Sequence, residues 1–112
     1  MDTKYFKKNK YLMIKHIVLF KLREFENEDL KSVVRNKIKA ALLALKDKIE
    51  VLKYIEVGLH HELVSSSCDL GLISHFDSLD DLEIYRVHPE HLKVIDLINA
   101  NTINKSFVDF EF

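Results

Sequence analysis

Residues 13–22 read MIKHIVLFKL. Large apolar and β-branched side chains dominate the stretch, which marks a β-strand. Side chains alternate along a strand, so His16, Val18, Phe20 and Leu22 share one face and Ile17 and Leu19 the other. Both faces are apolar, and a strand with one face in water would not show that pattern. The sheet that contains it is therefore expected to be covered on both sides.

Working outward, the period changes. Residues 27–49, NEDLKSVVRNKIKAALLALKDKI, carry Leu30, Val34, Ile38, Ala41, Leu42, Leu45 and Ile49 on one helical stripe. Asn27 fits the N-cap, and Glu28 and Asp29 fall in the first turn, where the helix dipole favours acids. A second strand is expected at about 51–60 (VLKYIEVGLH). The polar HELVSSS connection then leads to a third strand at about 69–76 (DLGLISHF). Ser78 opens a further helix, with Asp81 placed as in a capping box. Pro89 disfavours helical geometry at His88 and suits the first position of a new helix, PEHLKVIDLINA. The chain closes on a fourth strand, SFVDFEF, at 106–112.

This order is β-α-β-β-α-β, which predicts an α+β, ferredoxin-like fold: a four-stranded antiparallel sheet with helices on one face. The opposite face would carry Ile17 and Leu19 from the first strand and Val108, Phe110 and Phe112 from the last. Soluble monomers rarely expose an apolar patch of that size. A second copy packed sheet to sheet about a two-fold axis is the simplest cover, giving a homodimeric α/β barrel.

Composition bounds the remaining possibilities. The 112 residues make one domain, 47% hydrophobic and 31% charged. A net charge of −1 gives no general field for nucleic acid or an anionic membrane, and the apolar runs are too short to span a bilayer. The lone Cys68 excludes an internal disulfide framework and suits a reducing cytoplasm. Residues 1–12, MDTKYFKKNKYL, read as an N-terminal extension to a 13–112 domain. They lack the apolar core and cleavage site of a secretory signal. They can be a packed segment, an exposed basic arm, or sequence upstream of a start at Met13.

The segments MIKHIVLFKL, FDSLDDLEIYRVHPEHLKV and FVDFEF resemble the stress-responsive α/β-barrel (Dabb) family of dimeric α/β barrels, with comparable spacing over residues 13–112. The resemblance implies a homodimer but fixes activity poorly. One branch, a plant polyketide cyclase that forms olivetolic acid, is similar in architecture and needs no cofactor. Its catalytic tyrosine and histidine correspond to Tyr85 and His91. A first-strand histidine corresponds to His16 and a last-strand aspartate to Asp109. A third-strand histidine of that branch falls at about Leu70 here, and the lining from the first helix aligns poorly, so the resemblance to that branch does not extend to these positions.

YRVHPEHLKV, residues 85–94, holds the densest chemistry. Tyr85 closes one helix, and His91 lies on the first turn of the next. The break at Pro89 can turn both toward His16 on the sheet. A neutral imidazole can abstract a proton near pH 7, and a tyrosine hydroxyl can donate to a carbonyl as charge grows on it. Val18, Phe20 and Leu72 would supply apolar walls, with His88 and Asp109 nearby as further ligand contacts. Each residue also has a structural explanation: Tyr85 as a core aromatic, His88 as an N-cap, His91 as a partly exposed helix residue and His16 as a satisfied, half-buried one. No metal site is expected, because six histidines supply no H-E-x-x-H and no third ligand of clear geometry.

Three functions follow as expectations. The first is a cytoplasmic stress-response-type dimer that binds a small, largely apolar ligand between sheet and helices. The second is a cofactor-free, cyclase-like proton-transfer enzyme with His91 as base and Tyr85 as donor. The third is a structural, oligomer-forming protein with no pocket.

Overall fold

The computed structural model describes residues 12–61 and 63–112. The extension expected at 1–12 lies outside these residues, apart from Leu12. The elements are β1 (Ile14–Leu22), α1 (Glu28–Ala44), a 3₁₀ turn (Leu45–Asp47), β2 (Tyr54–Leu59), β3 (Leu70–Phe76), α2 (Leu79–Val87), α3 (Pro89–Asn101) and β4 (Thr102–Glu111). The four strands form one sheet in the order β2-β3-β1-β4, every pair antiparallel. This is the expected ferredoxin-like α+β arrangement.

Local chemistry sets the helix ends. The Leu30 N–H donates to Asn27 Oδ1 at 2.8 Å, and the Asp81 N–H donates to Ser78 Oγ at 3.1 Å. Both caps are the side chains the sequence singled out. At the joint between α2 and α3, His88 is extended (φ −64°, ψ 135°), and its Nδ1 accepts the Glu90 N–H at 3.1 Å. Pro89 then starts α3, where its missing N–H costs nothing.

The core lies between the helices and the inner sheet face. Ile14, Val18, Phe20 and Leu22 of β1 pack under Ile38, Leu42 and Leu45 from α1 and the 3₁₀ turn. From Ile38 onward the helical stripe is buried except for half-buried Ala41, but Leu30 at its start is 40% exposed. Asp69 is a buried carboxylate at the start of β3. It accepts the Leu22 N–H at 2.8 Å and the Lys31 ammonium at 3.1 Å, tying β1, β3 and α1 together. Burial alone would raise its pKa, but the Leu22 bond and the Lys31 and Lys21 charges outweigh it and hold the carboxyl below its ordinary value.

Two strands differ from expectation in length. β2 starts at Tyr54 rather than near 51, because the chain first completes a turn in which the Leu52 N–H donates to Ile49 O. β4 starts at Thr102 rather than 106 and follows α3 without a loop. Its first residues, TINKS, are mostly polar because β4 is an edge strand whose inner face the helices leave open: Lys105 and Phe107 point that way and are exposed. Pairing with β1 holds this segment, through a register irregularity at Lys21/Leu22.

The outer sheet face is apolar, as expected. Leu19, Tyr54, Val108, Phe110 and Phe112 lie on it and are exposed. His75 shares this face, stacked on Tyr54 at 4.6 Å and against Phe112 at 4.5 Å.

Candidate functional site

The inner face of β1 and the α2–α3 joint enclose a cavity of about 390 Å³. His16, Val18, Phe20, Leu72, Tyr85 and His91 all line it. Its floor is built from buried side chains such as Phe20, Leu72 and Tyr85, while its rim carries exposed Leu92 and Phe107, the latter 62% exposed. The cavity is therefore open to solvent on the side of β4.

Each polar group reaches the cavity for a local reason. Tyr85 follows Leu82 by three residues on the inward stripe of α2, so its ring packs 4.9 Å from Phe76 and is 1% exposed. The extended His88–Pro89 link then folds α3 back, and the His91 ring lies 4.1 Å from the Tyr85 ring. His91 Nδ1 sits 3.1 Å from Arg86 O. A carbonyl only accepts, so Nδ1 carries the hydrogen, and Nε2 of the neutral ring keeps its lone pair. Burial, with the nearby charges of His16, Arg86 and Lys105, outweighs that bond and holds His91 below its ordinary pKa, so the neutral form is favoured. Burial also pushes the Tyr85 phenol well up, keeping it protonated. Its hydroxyl is buried with no hydrogen-bond partner among the described residues.

His16 is organised across the sheet. β1 and β4 pair in a register that sets His16 opposite Asp109 on the inner face, and His16 Nδ1 bonds Asp109 Oδ1. The Arg86 guanidinium approaches Asp109 Oδ2 at 3.5 Å. One chain of contacts thus runs from Arg86 through Asp109 to His16, while the backbone carbonyl of the same Arg86 orients His91.

Of the eight residues singled out by sequence, Asp109 stands behind His16 rather than in the cavity lining. His88 caps α3 and does not line it either. Arg86, Lys105 and Phe107 line the cavity and were not anticipated. Only strand register could have placed Lys105 and Phe107 there, opposite Phe20 and Val18. A second hollow, of about 450 Å³, lies by Lys21, Lys31, Arg35 and Asp69 and is polar in character. Among the described residues, no three His, Cys, Asp or Glu side chains gather in a metal-ligating group. No helix of the described residues is long and apolar enough to cross a membrane.

The sheet order, the layered helices and the exposed apolar sheet face define the class of ferredoxin-like α+β proteins that pair into barrels. Within that class, the chain belongs to the stress-responsive A/B barrel domain family, whose sequence pattern matches residues 14–112. No curated protein matches the sequence. Among solved structures, it is similar to a dimeric protein of unknown function and ferredoxin-like fold from Bacteroides fragilis. The two are 42% identical, with 89% of this chain and 96% of that one covered and a TM-score of 0.82. A hydroxynitrile lyase from Passiflora edulis shares the fold at 14% identity (89% and 93% covered, TM-score 0.74). A cofactor-independent oxygenase from Streptomyces nogalater shares it at 9% identity (88% and 91% covered, TM-score 0.69).

Proposed function

We propose that this protein works in the cytoplasm as a stress-response-type homodimer that binds a small, largely apolar ligand between its sheet and helices. The observation that carries this reading is the Tyr85 hydroxyl, buried without a partner among the described residues in the wall of an open apolar cavity. A buried hydroxyl is expensive to leave unpaired, and a carbonyl or hydroxyl on a bound ligand would satisfy it. The homodimer is supported by the apolar outer face and by the dimeric relative from Bacteroides fragilis. The single Cys68 fits a reducing compartment.

A second reading, cofactor-free proton-transfer catalysis, is favoured by the tautomer of His91. Its Nε2 lone pair is available beside the Tyr85 ring, and burial keeps the imidazole neutral. In that reading His91 Nε2 removes a proton from a carbon next to a substrate carbonyl. The electron pair moves onto the carbonyl oxygen, and the Tyr85 hydroxyl donates to the resulting enolate. His16, held by Asp109, is a second imidazole able to hold or return a proton. Among proteins that share the fold are a cofactor-independent oxygenase and a hydroxynitrile lyase, so the architecture accommodates enzymes.

Tyr85→Phe and His91→Ala test both readings in a ligand-binding and cyclisation assay. Catalysis predicts a rate loss of roughly a hundredfold or more in each variant. Binding alone predicts weakened affinity with no turnover in the parent. Unchanged behaviour in both variants, with the dimer intact, would leave YRVHPEHLKV as a helix joint.

A further inference from the structure

We propose that the ligand of the cavity is an amphiphilic anion, an apolar body bearing a carboxylate, and that Lys105 receives the carboxylate at the rim with Arg86 beside it. This rests on reading the cavity as a ligand site and adds the class of ligand. The charges of the lining are one-sided. Arg86 and Lys105 are in it, two imidazoles are in it, and no Asp or Glu among the described residues is. Apart from the Tyr85 hydroxyl, the rest of the wall is hydrocarbon, of the kind provided by Leu42, Leu82 and Ile98. Low-dielectric walls around charges of one sign concentrate their field and select ligands of the opposite sign.

The two cations are not equivalent. Arg86 already faces two carboxylates, Glu83 and Asp109, each at 3.5 Å, and its guanidinium lies 5.8 Å from the centre of the Phe107 ring. Lys105 donates instead to a neutral amide, Asn99 Oδ1, at 2.8 Å. Exchanging that amide for a ligand carboxylate would add ion-pair attraction to a bond in which only the donor now carries charge. Lys105 and Phe107 are two residues apart on the inner face of β4, so an acidic head at Lys105 lets an apolar body pass Phe107 toward the floor at Phe20 and Leu72. The field of these cations extends into the cavity, since Arg86 and Lys105 are among the charges that disfavour protonated His91, after burial.

Calorimetric titration with matched acid–amide pairs isolates the charge: naphthoate against naphthamide, benzoate against benzamide and octanoate against octanamide, near neutral pH. A charge-assisted bond predicts that the acid of a pair binds about ten- to a hundredfold more tightly than its amide. Lys105→Met should bring the acid to the level of the amide and leave the amide unchanged, which also shows that the cavity is intact. Lys105→Gln is the second variant, with the same expectation. Added salt should weaken the acid alone. Equal affinities within the pairs, or an acid preference that survives both Lys105 substitutions, would overturn the proposal and leave the ligand-site reading standing. A preference lost in Lys21→Met instead would place the anion in the polar hollow and also overturn it. Failure of every acid and amide to bind would sink the ligand-site reading together with this inference.

Discussion

Replacing Tyr85 by Phe should make the protein more stable and less functional. The substitution removes one oxygen from a ring that is 1% exposed and keeps the ring contacts with Phe76 at 4.9 Å and His91 at 4.1 Å. That oxygen has no hydrogen-bond partner among the described residues. Burying an unsatisfied hydroxyl costs about 1–3 kcal/mol, and Phe avoids that cost. Allowing for the few dispersion contacts the oxygen makes, the gain should be about 1 kcal/mol. In a domain of this size, such a change raises Tm by roughly 4 °C. The same oxygen is the hydrogen-bond donor of the proposed site, so ligand affinity should fall about tenfold. Thermal unfolding by circular dichroism and calorimetric titration measure the two effects on one preparation. A tyrosine whose hydroxyl served the fold would behave in the opposite way. A lower Tm in Tyr85→Phe, with ligand binding unchanged, would refute the reasoning.

The outer sheet face makes a separate prediction: light scattering should give twice the chain mass at micromolar concentration, and Phe110→Asp should give a monomer, because a buried unpaired carboxylate is costly. A parent that stays monomeric and soluble would defeat the dimer. Stability should fall as pH drops from neutral through about 6.5. His91 and His75 are both held below their ordinary pKa, chiefly by burial, so below that pH the unfolded chain takes up protons the folded chain refuses. His91→Gln should flatten that slope, and a Tm independent of pH across the window would contradict it. Protein purified without a histidine tag should contain no stoichiometric transition metal, and elemental analysis showing about one zinc, iron or copper per chain would reverse that expectation.

What could be read from the sequence was local. The alternation of Val18, Phe20 and Leu22 against Ile17 and Leu19 oriented β1 and anticipated the apolar outer face. Asn27, Ser78 and His88 were identifiable as caps because a cap needs only its own next three residues. The convergence of Tyr85 and His91 followed from the break at Pro89. What escaped depends on pairing between distant strands. The eight-residue span from Thr102 to Asp109 carries β4 along β1, and its register alone puts Asp109 beside His16 and Lys105 at the rim. TINKS has little of the apolar alternation that marks a strand, because the described helices leave the inner side of that edge largely exposed. The contribution of Arg86 was hidden for another reason: half of it comes from its backbone carbonyl, which no side-chain pattern reveals.

The most direct test of the central claim is methyl and imidazole NMR of the labelled protein during titration with the acid–amide pairs. If the cavity is the ligand site, saturable shifts should concentrate on Val18, Leu72, Leu82, His16 and His91, which share its walls. Tyr85→Phe should weaken them, while Val108 on the outer face stays still. Shifts that gather on the outer face or in the polar hollow, or none at all with any pair, would contradict the account.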